Sequence, residues 1–278
     1  MANSERGAKT IQKKTPQTDG KRAAVYDPPL DYLKRPGGMA LAFRRSEGKA
    51  PCVVFLGGLR STMESPKALI AENAAREHGL GFLRFDYSGH GASEGRFEDG
   101  TIGQWKRDTL DCLDQLTDGP LIIIGSSLGG WLALLAALER PKRVQAMLIL
   151  SCAADFTEHF YHRLLGPAQQ EEMQENGYIA FPSCKGGDPF IITQKLVDEG
   201  CEHLIMPRKA LAIDVPVHFL AGMLDQDVPW QTSKEVAARL PAGRASVEMI
   251  ETARHQFDRP EDIEHFRDAV EACLERSA

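Results

Sequence analysis

The segment LIIIGSSLGGWLALLAA, residues 121–137, decides the fold. It begins with four apolar residues, Leu121 to Ile124, and continues with two serines placed between Gly125 and Gly129. A short apolar run that ends at glycine predicts a buried strand, and the small and apolar residues that follow predict a helix packed closely on it. The sequence therefore predicts a strand, a sharp turn and a helix in direct succession.

The turn has the pattern Gly-x-Ser-x-Gly, with Ser127 as its central serine. At the end of a buried strand this pattern predicts a nucleophile elbow, a strained turn that exposes the serine hydroxyl at the edge of a sheet. Glycines on both sides remove side chains that would collide with the turn. A plain glycine-rich loop is the alternative, but it does not account for the position between strand and helix.

The rest of the chain alternates in the same way between short apolar runs and helical patterns. This alternation predicts an α/β fold with a mostly parallel central sheet and helices on both of its faces. Residues near 38–45 predict an additional antiparallel edge strand. We expect further strands at 52–56, 81–86, 146–151, 217–221 and 246–250, and helices at 66–78, 101–116, 129–138, 233–240 and 262–276.

The chain of 278 residues predicts a single α/β domain over 25–278, preceded by a basic, disordered tail over 1–24. The alternation is interrupted at about 155–214, where no clear strand–helix unit is visible. Long irregular connections inside a compact domain are usually functional, so we expect a small cap inserted on the sheet.

The overall charge and the cysteines restrict the possible functions. A net charge of −6 argues against nucleic acid as a partner, and no apolar run is long enough to span a membrane. The six cysteines show no metal-ligand spacing, so no metal is expected. The tail lacks the apolar segment of a secretory signal, which predicts a cytoplasmic protein, or a mitochondrial one if the basic tail is a transit peptide.

A serine hydroxyl needs a base to accept its proton and an acid to orient that base. In this kind of fold the chain order is serine, acid, histidine. Asp225 follows the strand at 217–221, and His255 lies in the loop after the last strand, so we predict a catalytic site of Ser127, Asp225 and His255. Asp227 and Asp155 are the alternatives for the acid, because both also lie close to strand ends.

The developing oxyanion needs backbone N–H donors. The N–H of Leu128, directly after the serine, is one candidate, and that of Leu59, after the Gly57-Gly58 turn, is the second. Phe156 and Phe160 have helical spacing in the predicted cap. They either bind the acyl part of a substrate or pack on the core, and the sequence favours neither.

Four stretches carry a resemblance to a known family. The chain resembles the α/β-hydrolase superfamily, and within it the mitochondrial acyl-protein thioesterases, also known as mycophenolic acid acyl-glucuronide esterases. The resemblance implies cleavage of thioesters on S-acylated proteins and of small acyl esters without a cofactor, with the family's catalytic serine, aspartate and histidine at Ser127, Asp225 and His255. The four stretches are GGLRSTMESPKA (57–68), RFDYSGHGASEG (84–95), GPLIIIGSSLGGWLALLAA (119–137) and GMLDQDVPWQTS (222–233).

We therefore expect a serine hydrolase that cleaves carboxylic esters or thioesters through an acyl-serine intermediate. An amidase, an aminopeptidase or a carbon–carbon bond hydrolase could use the same three residues. A ligand receptor on this fold is a third class, disfavoured because all three residues are present. The sequence leaves the physiological substrate and the oligomeric state open.

Overall fold

The computed structural model describes residues 27–181 and 189–276. These residues form one eight-stranded sheet in the order β1-β2-β4-β3-β5-β6-β9-β10, and a separate two-stranded sheet of β7 and β8. The strands are β1 (Asp31–Leu33), β2 (Leu41–Ser46), β3 (Lys49–Leu56), β4 (Leu80–Phe85), β5 (Leu121–Ser126), β6 (Val144–Leu150), β7 (Tyr178–Phe181), β8 (Phe190–Thr193), β9 (Val217–Gly222) and β10 (Ala245–Ile250).

The large sheet is parallel from β4 to β10, whereas β1 and β2 are antiparallel to their neighbours. This confirms the predicted fold class. The antiparallel strand expected near 38–45 corresponds to β2, but the prediction that it forms the edge is wrong. The edge is β1, a strand of three largely exposed residues without the apolar pattern that would reveal it.

Eight α-helices connect the strands in the described part of the chain. They are α1 (Pro66–Glu77), α2 (Ile102–Leu116), α3 (Leu128–Glu139), α4 (Phe156–His159), α5 (Pro167–Asn176), α6 (Gln194–Gly200), α7 (Gln231–Ala237) and α8 (Pro260–Glu275). Each of the five predicted helices is present, with ends that differ by a few residues. None of the helices in the described residues is long and apolar enough to cross a membrane.

Strand β5 shows how the core is divided between the two faces of the sheet. Consecutive side chains of a strand point to opposite faces. Leu121 and Ile123 therefore pack in the cluster that includes α2 and α3, while Ile122 and Ile124 pack in the cluster that includes α1 and α8. All four are fully buried, which explains why the strand has a continuous apolar sequence instead of an alternating one.

The region predicted as a cap, which we call the insertion (residues 155–214), lies between β6 and β9. It contains α4, a single π-helical turn at Phe160–Leu164, α5, the pair β7 and β8, and α6. The antiparallel pairing of β7 with β8 was not predicted, because each strand has only four residues. The basic tail expected at 1–24 lies outside the described residues, as do residues 182–188 of the insertion.

Asp155 closes the insertion on itself. Its carboxylate accepts hydrogen bonds from the backbone N–H groups of Ile205 (2.9 Å) and Met206 (2.8 Å). Burial raises the pKa of this carboxyl, although the two backbone donors oppose the shift. The first residue of the insertion is thereby bonded to the chain fifty residues further on.

A buried arginine joins the antiparallel side of the sheet to α1. The Arg84 side chain on β4 is 1% exposed and forms ion pairs with Glu72 (2.9 Å), Glu64 (2.5 Å) and Asp27 (2.8 Å). Glu72 is itself only 8% exposed, so removing Arg84 would take a buried carboxylate away from its cation.

We predict that Arg84→Leu lowers the free energy of unfolding by about 3–5 kcal/mol, because it leaves the Glu72 carboxylate buried without a counter-charge. Urea denaturation followed by circular dichroism measures this change. The matched control is Arg96→Leu, since Arg96 is 77% exposed and its pair with Glu98 is long at 3.6 Å. A loss as small for Arg84→Leu as for the control would contradict the prediction.

Candidate active site

The turn after β5 holds Ser127 in a strained backbone conformation, with φ 57° and ψ −118°. The strain is maintained by close packing on both sides. A Cβ at Gly129 would lie 2.0 Å from the carbonyl oxygen of Leu56, and one at Gly125 would lie 2.5 Å from the carbonyl oxygen of Gly129. Only glycine allows α3 to start this close to β3 and β5, so the two glycines fix the direction in which Ser127 points.

His255 reaches the serine from the loop that follows β10. Its Nε2 atom lies 3.1 Å from Ser127 Oγ, within hydrogen-bonding distance, although the two residues are 128 positions apart. The loop can approach because β9 ends in Gly222, where a Cβ would lie 2.4 Å from the carbonyl oxygen of Ala253.

Asp225 lies behind the histidine, in the loop after β9. Its Oδ2 atom accepts a hydrogen bond of 2.7 Å from His255 Nδ1, and its side chain is 2% exposed. Its Oδ1 atom accepts bonds from the backbone N–H groups of Asp227 (2.9 Å) and Val228 (2.8 Å). These bonds leave the Ser127 hydroxyl as the donor to His255 Nε2.

The two alternative acids have other contacts. Asp155 is engaged by the backbone of Ile205 and Met206. Asp227 is exposed and contributes its backbone N–H to Asp225. The structure therefore brings Asp225, of the three carboxylates considered, into contact with His255.

Asp225, Asp227 and His255 each offer one ligand atom within 4.8 Å of the others, which is a possible metal-binding geometry. The direct hydrogen bond between Asp225 and His255 engages two of the three residues with each other. This bond is expected in a serine–histidine–aspartate arrangement. Metal binding by the same two residues would require the bond to break.

His90, which precedes the serine in the chain, is buried among aromatic rings. Its ring lies edge-on to Tyr87, Phe97 and Trp105, with centroids 5.2–5.4 Å apart. Burial lowers the pKa of His90 to about 4, so the ring is neutral near pH 7.

The two predicted oxyanion donors lie beside the serine. Leu128 is the first residue of α3, where backbone N–H groups have no acceptor within the helix. The loop after β3 passes close to Ser127, since a Cβ at Gly58 would lie 3.3 Å from the Ser127 Cβ, and Leu59 lines the same pocket as Ser127.

An apolar pocket of about 360 Å³ opens next to Ser127, within the usual range for ligand pockets. Both predicted substrate-binding residues, Phe156 and Phe160, line it. The insertion supplies most of its apolar wall, which also includes Leu164, Phe181, Phe190 and Ile192.

A larger cavity of about 500 Å³ lies at the opposite end of the strands, beside the first residues of β6, β9 and β10. In parallel sheets, ligands bind outside the carboxyl ends of the strands, where Ser127, Asp225 and His255 are found. Of these two cavities, the apolar pocket of about 360 Å³ next to Ser127 is therefore the better candidate for binding substrate.

Sequence reasoning missed two cations near the site. Lys67, at the start of α1, donates a hydrogen bond of 2.8 Å to the carbonyl oxygen of Gln256, the residue after His255. Burial lowers the pKa of the Lys67 amine to about 8, against the opposing effect of nearby carboxylates. Arg60, with φ 57°, places its guanidinium 5.2 Å from the Phe190 ring and so links the loop of Leu59 to the insertion. Neither contact leaves a signal in the local sequence.

A mostly parallel sheet with a serine elbow after a central strand and a histidine and an aspartate after later strands defines the α/β hydrolases. A family model described as alpha/beta hydrolase fold matches residues 51–176. The palmitoyl-protein thioesterase ABHD10, mitochondrial, of Pongo abelii is 36% identical over 236 residues, which cover 84% of this chain and 76% of that protein.

Two solved structures are similar over nearly their whole length. Alpha/beta hydrolase domain-containing protein 10 from mouse has a TM-score of 0.83 at 34% identity, covering 90% of this chain and 100% of that one. A putative hydrolase from Agrobacterium vitis S4 has a TM-score of 0.82 at 34% identity, covering 88% and 99%. The chain therefore belongs to the α/β-hydrolase family that contains the ABHD10 proteins, as the resemblance of its four stretches indicated.

We predict that Gly129→Ala abolishes covalent labelling of Ser127 by a fluorophosphonate probe, because the new methyl group forces α3 away from Leu56 and displaces the serine. Gel fluorescence after labelling measures this. Gly38→Ala is the control, since its Cβ would meet the nearest atom, Arg35 Cβ, at 3.4 Å, an ordinary contact. Full labelling of a folded Gly129→Ala variant would show that the close packing does not position the serine.

Proposed function

We propose that the protein is a serine hydrolase that cleaves carboxylic esters or thioesters through an acyl-serine intermediate. The observation that carries the proposal is the continuous hydrogen-bond chain from Ser127 Oγ to His255 Nε2 (3.1 Å) and from His255 Nδ1 to Asp225 Oδ2 (2.7 Å). Nucleophile, base and orienting acid are thus within direct reach of one another, as this chemistry requires.

In the proposed acylation step, Ser127 Oγ attacks the carbonyl carbon of the substrate, and His255 Nε2 takes the serine proton. Asp225 holds the ring with its proton on Nδ1 and stabilises the imidazolium that forms. The N–H groups of Leu59 and Leu128 are the proposed donors to the oxyanion. The leaving alcohol or thiol receives the proton from His255, and water later releases the acid.

The apolar pocket supports an acyl group as the part of the substrate that is bound. Aromatic and aliphatic side chains line it, so it can bury the hydrocarbon portion of an ester or thioester. The similarity to a palmitoyl-protein thioesterase supports thioesters, including S-acylated proteins, as substrates, and small acyl esters such as acyl glucuronides fit the same chemistry. We further propose that the insertion is a cap that sets the acyl specificity.

An amidase or aminopeptidase is the second candidate, and it would need acids in the insertion to hold a substrate amine. Glu171, Glu172 and Glu175 are exposed on α5 and do not line the pocket. This favours an ester or thioester over a substrate with a free amino group. A carbon–carbon bond hydrolase has no feature of the described residues in its favour.

The compartment remains a prediction. The ABHD10 relative from Pongo abelii is named as mitochondrial, whereas the sequence favours a cytoplasmic protein unless its basic tail is a transit peptide. That tail lies outside the described residues, so a fusion of residues 1–26 to a fluorescent protein would test its targeting.

We predict that Ser127→Ala abolishes hydrolysis of p-nitrophenyl butyrate and of palmitoyl thioesters, because it removes the hydroxyl group that contacts His255 Nε2. Asp225→Asn should reduce kcat about 10⁴-fold, since an amide favours the wrong tautomer of His255. Asp227→Asn is the matched control and should keep most of the activity, because Asp227 contributes its backbone N–H and not its carboxylate. Undiminished turnover by Ser127→Ala would remove the proposal.

We predict that Phe160→Ala lowers kcat/KM for long-chain acyl thioesters at least tenfold and changes it little for acetyl esters. Each substrate methylene that loses its apolar contact reduces the binding free energy by up to about 0.8 kcal/mol, so the effect grows with the length of the acyl chain. A series of thioesters and acyl glucuronides of increasing chain length measures it. Tyr178→Ala is the control, an exposed aromatic of the insertion outside the pocket. An equal loss for acetyl and long-chain substrates would argue against acyl binding by Phe160.

A further inference from the structure

A second, much smaller cavity adjoins Ser127 and His255. It has a volume of about 60 Å³ and lies between the loop after β3, the start of α1 and the loop that carries His255. It shares four lining residues with the apolar pocket, namely Leu59, Ser127, His255 and Gln256. The serine oxygen and the histidine ring therefore stand between two spaces of different size.

The lining of the small cavity is largely polar. It includes Ser61, Ser65 and Lys67, in addition to Ser127 and His255. Lys67 donates one of its three N–H bonds to Gln256, which leaves two donors for another acceptor. A buried water needs about 10–15 Å³ of such space and two to four polar partners, so a cavity of about 60 Å³ has the size and the partners to hold water.

Size and polarity exclude the other components of the reaction from this cavity. An acyl chain is disfavoured in the small cavity, because it would exchange contacts with the apolar side chains of the larger pocket for contacts with polar residues. A glucuronic acid, or the protein that carries an S-acylated cysteine, is too large for about 60 Å³. Water fits this space.

We propose that this cavity, lined by Ser61, Ser65 and Lys67, is the site from which the hydrolytic water attacks the acyl-serine. The inference rests on the proposed function. The water oxygen forms a bond to the acyl carbon, and its proton passes to His255 Nε2. The bond between that carbon and Ser127 Oγ then breaks, and His255 returns the proton to Ser127 Oγ as the carboxylic acid leaves.

Lys67 has a further role in this arrangement as a positioning residue. Its bond to the Gln256 carbonyl holds the histidine loop against α1 and keeps the walls of the cavity apart. Its remaining N–H groups donate to the water oxygen and leave the water protons directed at His255 Nε2 and at the serine hydroxyls.

The test is the ratio of acylated to free enzyme during turnover of p-nitrophenyl butyrate, measured by intact mass spectrometry after rapid acid quench. At steady state this ratio equals the apparent first-order rate constant of acylation divided by the rate constant of deacylation. Ser61→Val fills the cavity and removes a hydroxyl, and Lys67→Met removes the donor with little loss of volume. We expect each to raise the ratio about tenfold while turnover falls, as for the loss of one hydrogen bond to the attacking water.

Thr62→Val is the matched control, because Thr62 neighbours Ser61 in the chain but is exposed and does not line the cavity. The ratio of acylated to free enzyme in Thr62→Val should equal that of the unmodified protein. The rate at which a fluorophosphonate modifies Ser127 reports the acylation half of the reaction, and it should stay within about twofold in Ser61→Val, which leaves the bond between Lys67 and Gln256 in place.

The outcomes separate the two proposals. An acyl adduct on Ser127 whose abundance is the same in Ser61→Val, Lys67→Met and the unmodified protein would overturn the water site and leave the serine hydrolase intact. A fall in the fluorophosphonate reactivity of Ser61→Val equal to its fall in turnover would also overturn it, since the variant would then act on the serine. Hydrolysis without any adduct, retained by Ser127→Ala, would overturn the proposed function itself.

Discussion

The contact between the start of α3 and the end of β3 is the constraint on which the rest of the site depends. Gly129 lies so close to the carbonyl of Leu56 that a single methyl group cannot be placed between them. This contact forces the positive φ of Ser127 and directs its side chain out of the sheet edge. Asp225 and His255 follow β9 and β10, which run parallel to β5. All three strands therefore end at the same edge of the sheet, and this brings both side chains close to Ser127.

This dependence also explains which features the sequence could predict. The elbow is encoded locally, in seventeen consecutive residues, and strand and helix periodicities extend the prediction to the whole parallel sheet. Asp225 and His255 were identifiable because their positions after β9 and β10 follow from the serine. The short, exposed β1 and the hairpin of β7 and β8 carry too few apolar residues to give a pattern.

Other features arise only from the folded chain. Lys67 reaches the carbonyl of Gln256 across 189 positions of sequence, and no local pattern marks it. The sequence left open whether Phe156 and Phe160 bind substrate or pack on the core, because helical spacing is the same in both cases. Their place in the pocket depends on how the insertion folds back over the sheet edge, and that is decided by contacts between distant segments.

Asp155 has a consequence for how such proteins diversify. Its carboxylate joins the first residue of the insertion to the backbone of Ile205 and Met206, so hydrogen bonds within the insertion itself close the intervening segment into a loop. The length and sequence of that segment can therefore vary while its two anchor points stay together and β6 and β9 keep their paths. Such a loop allows the pocket wall to diverge among related proteins that share one sheet.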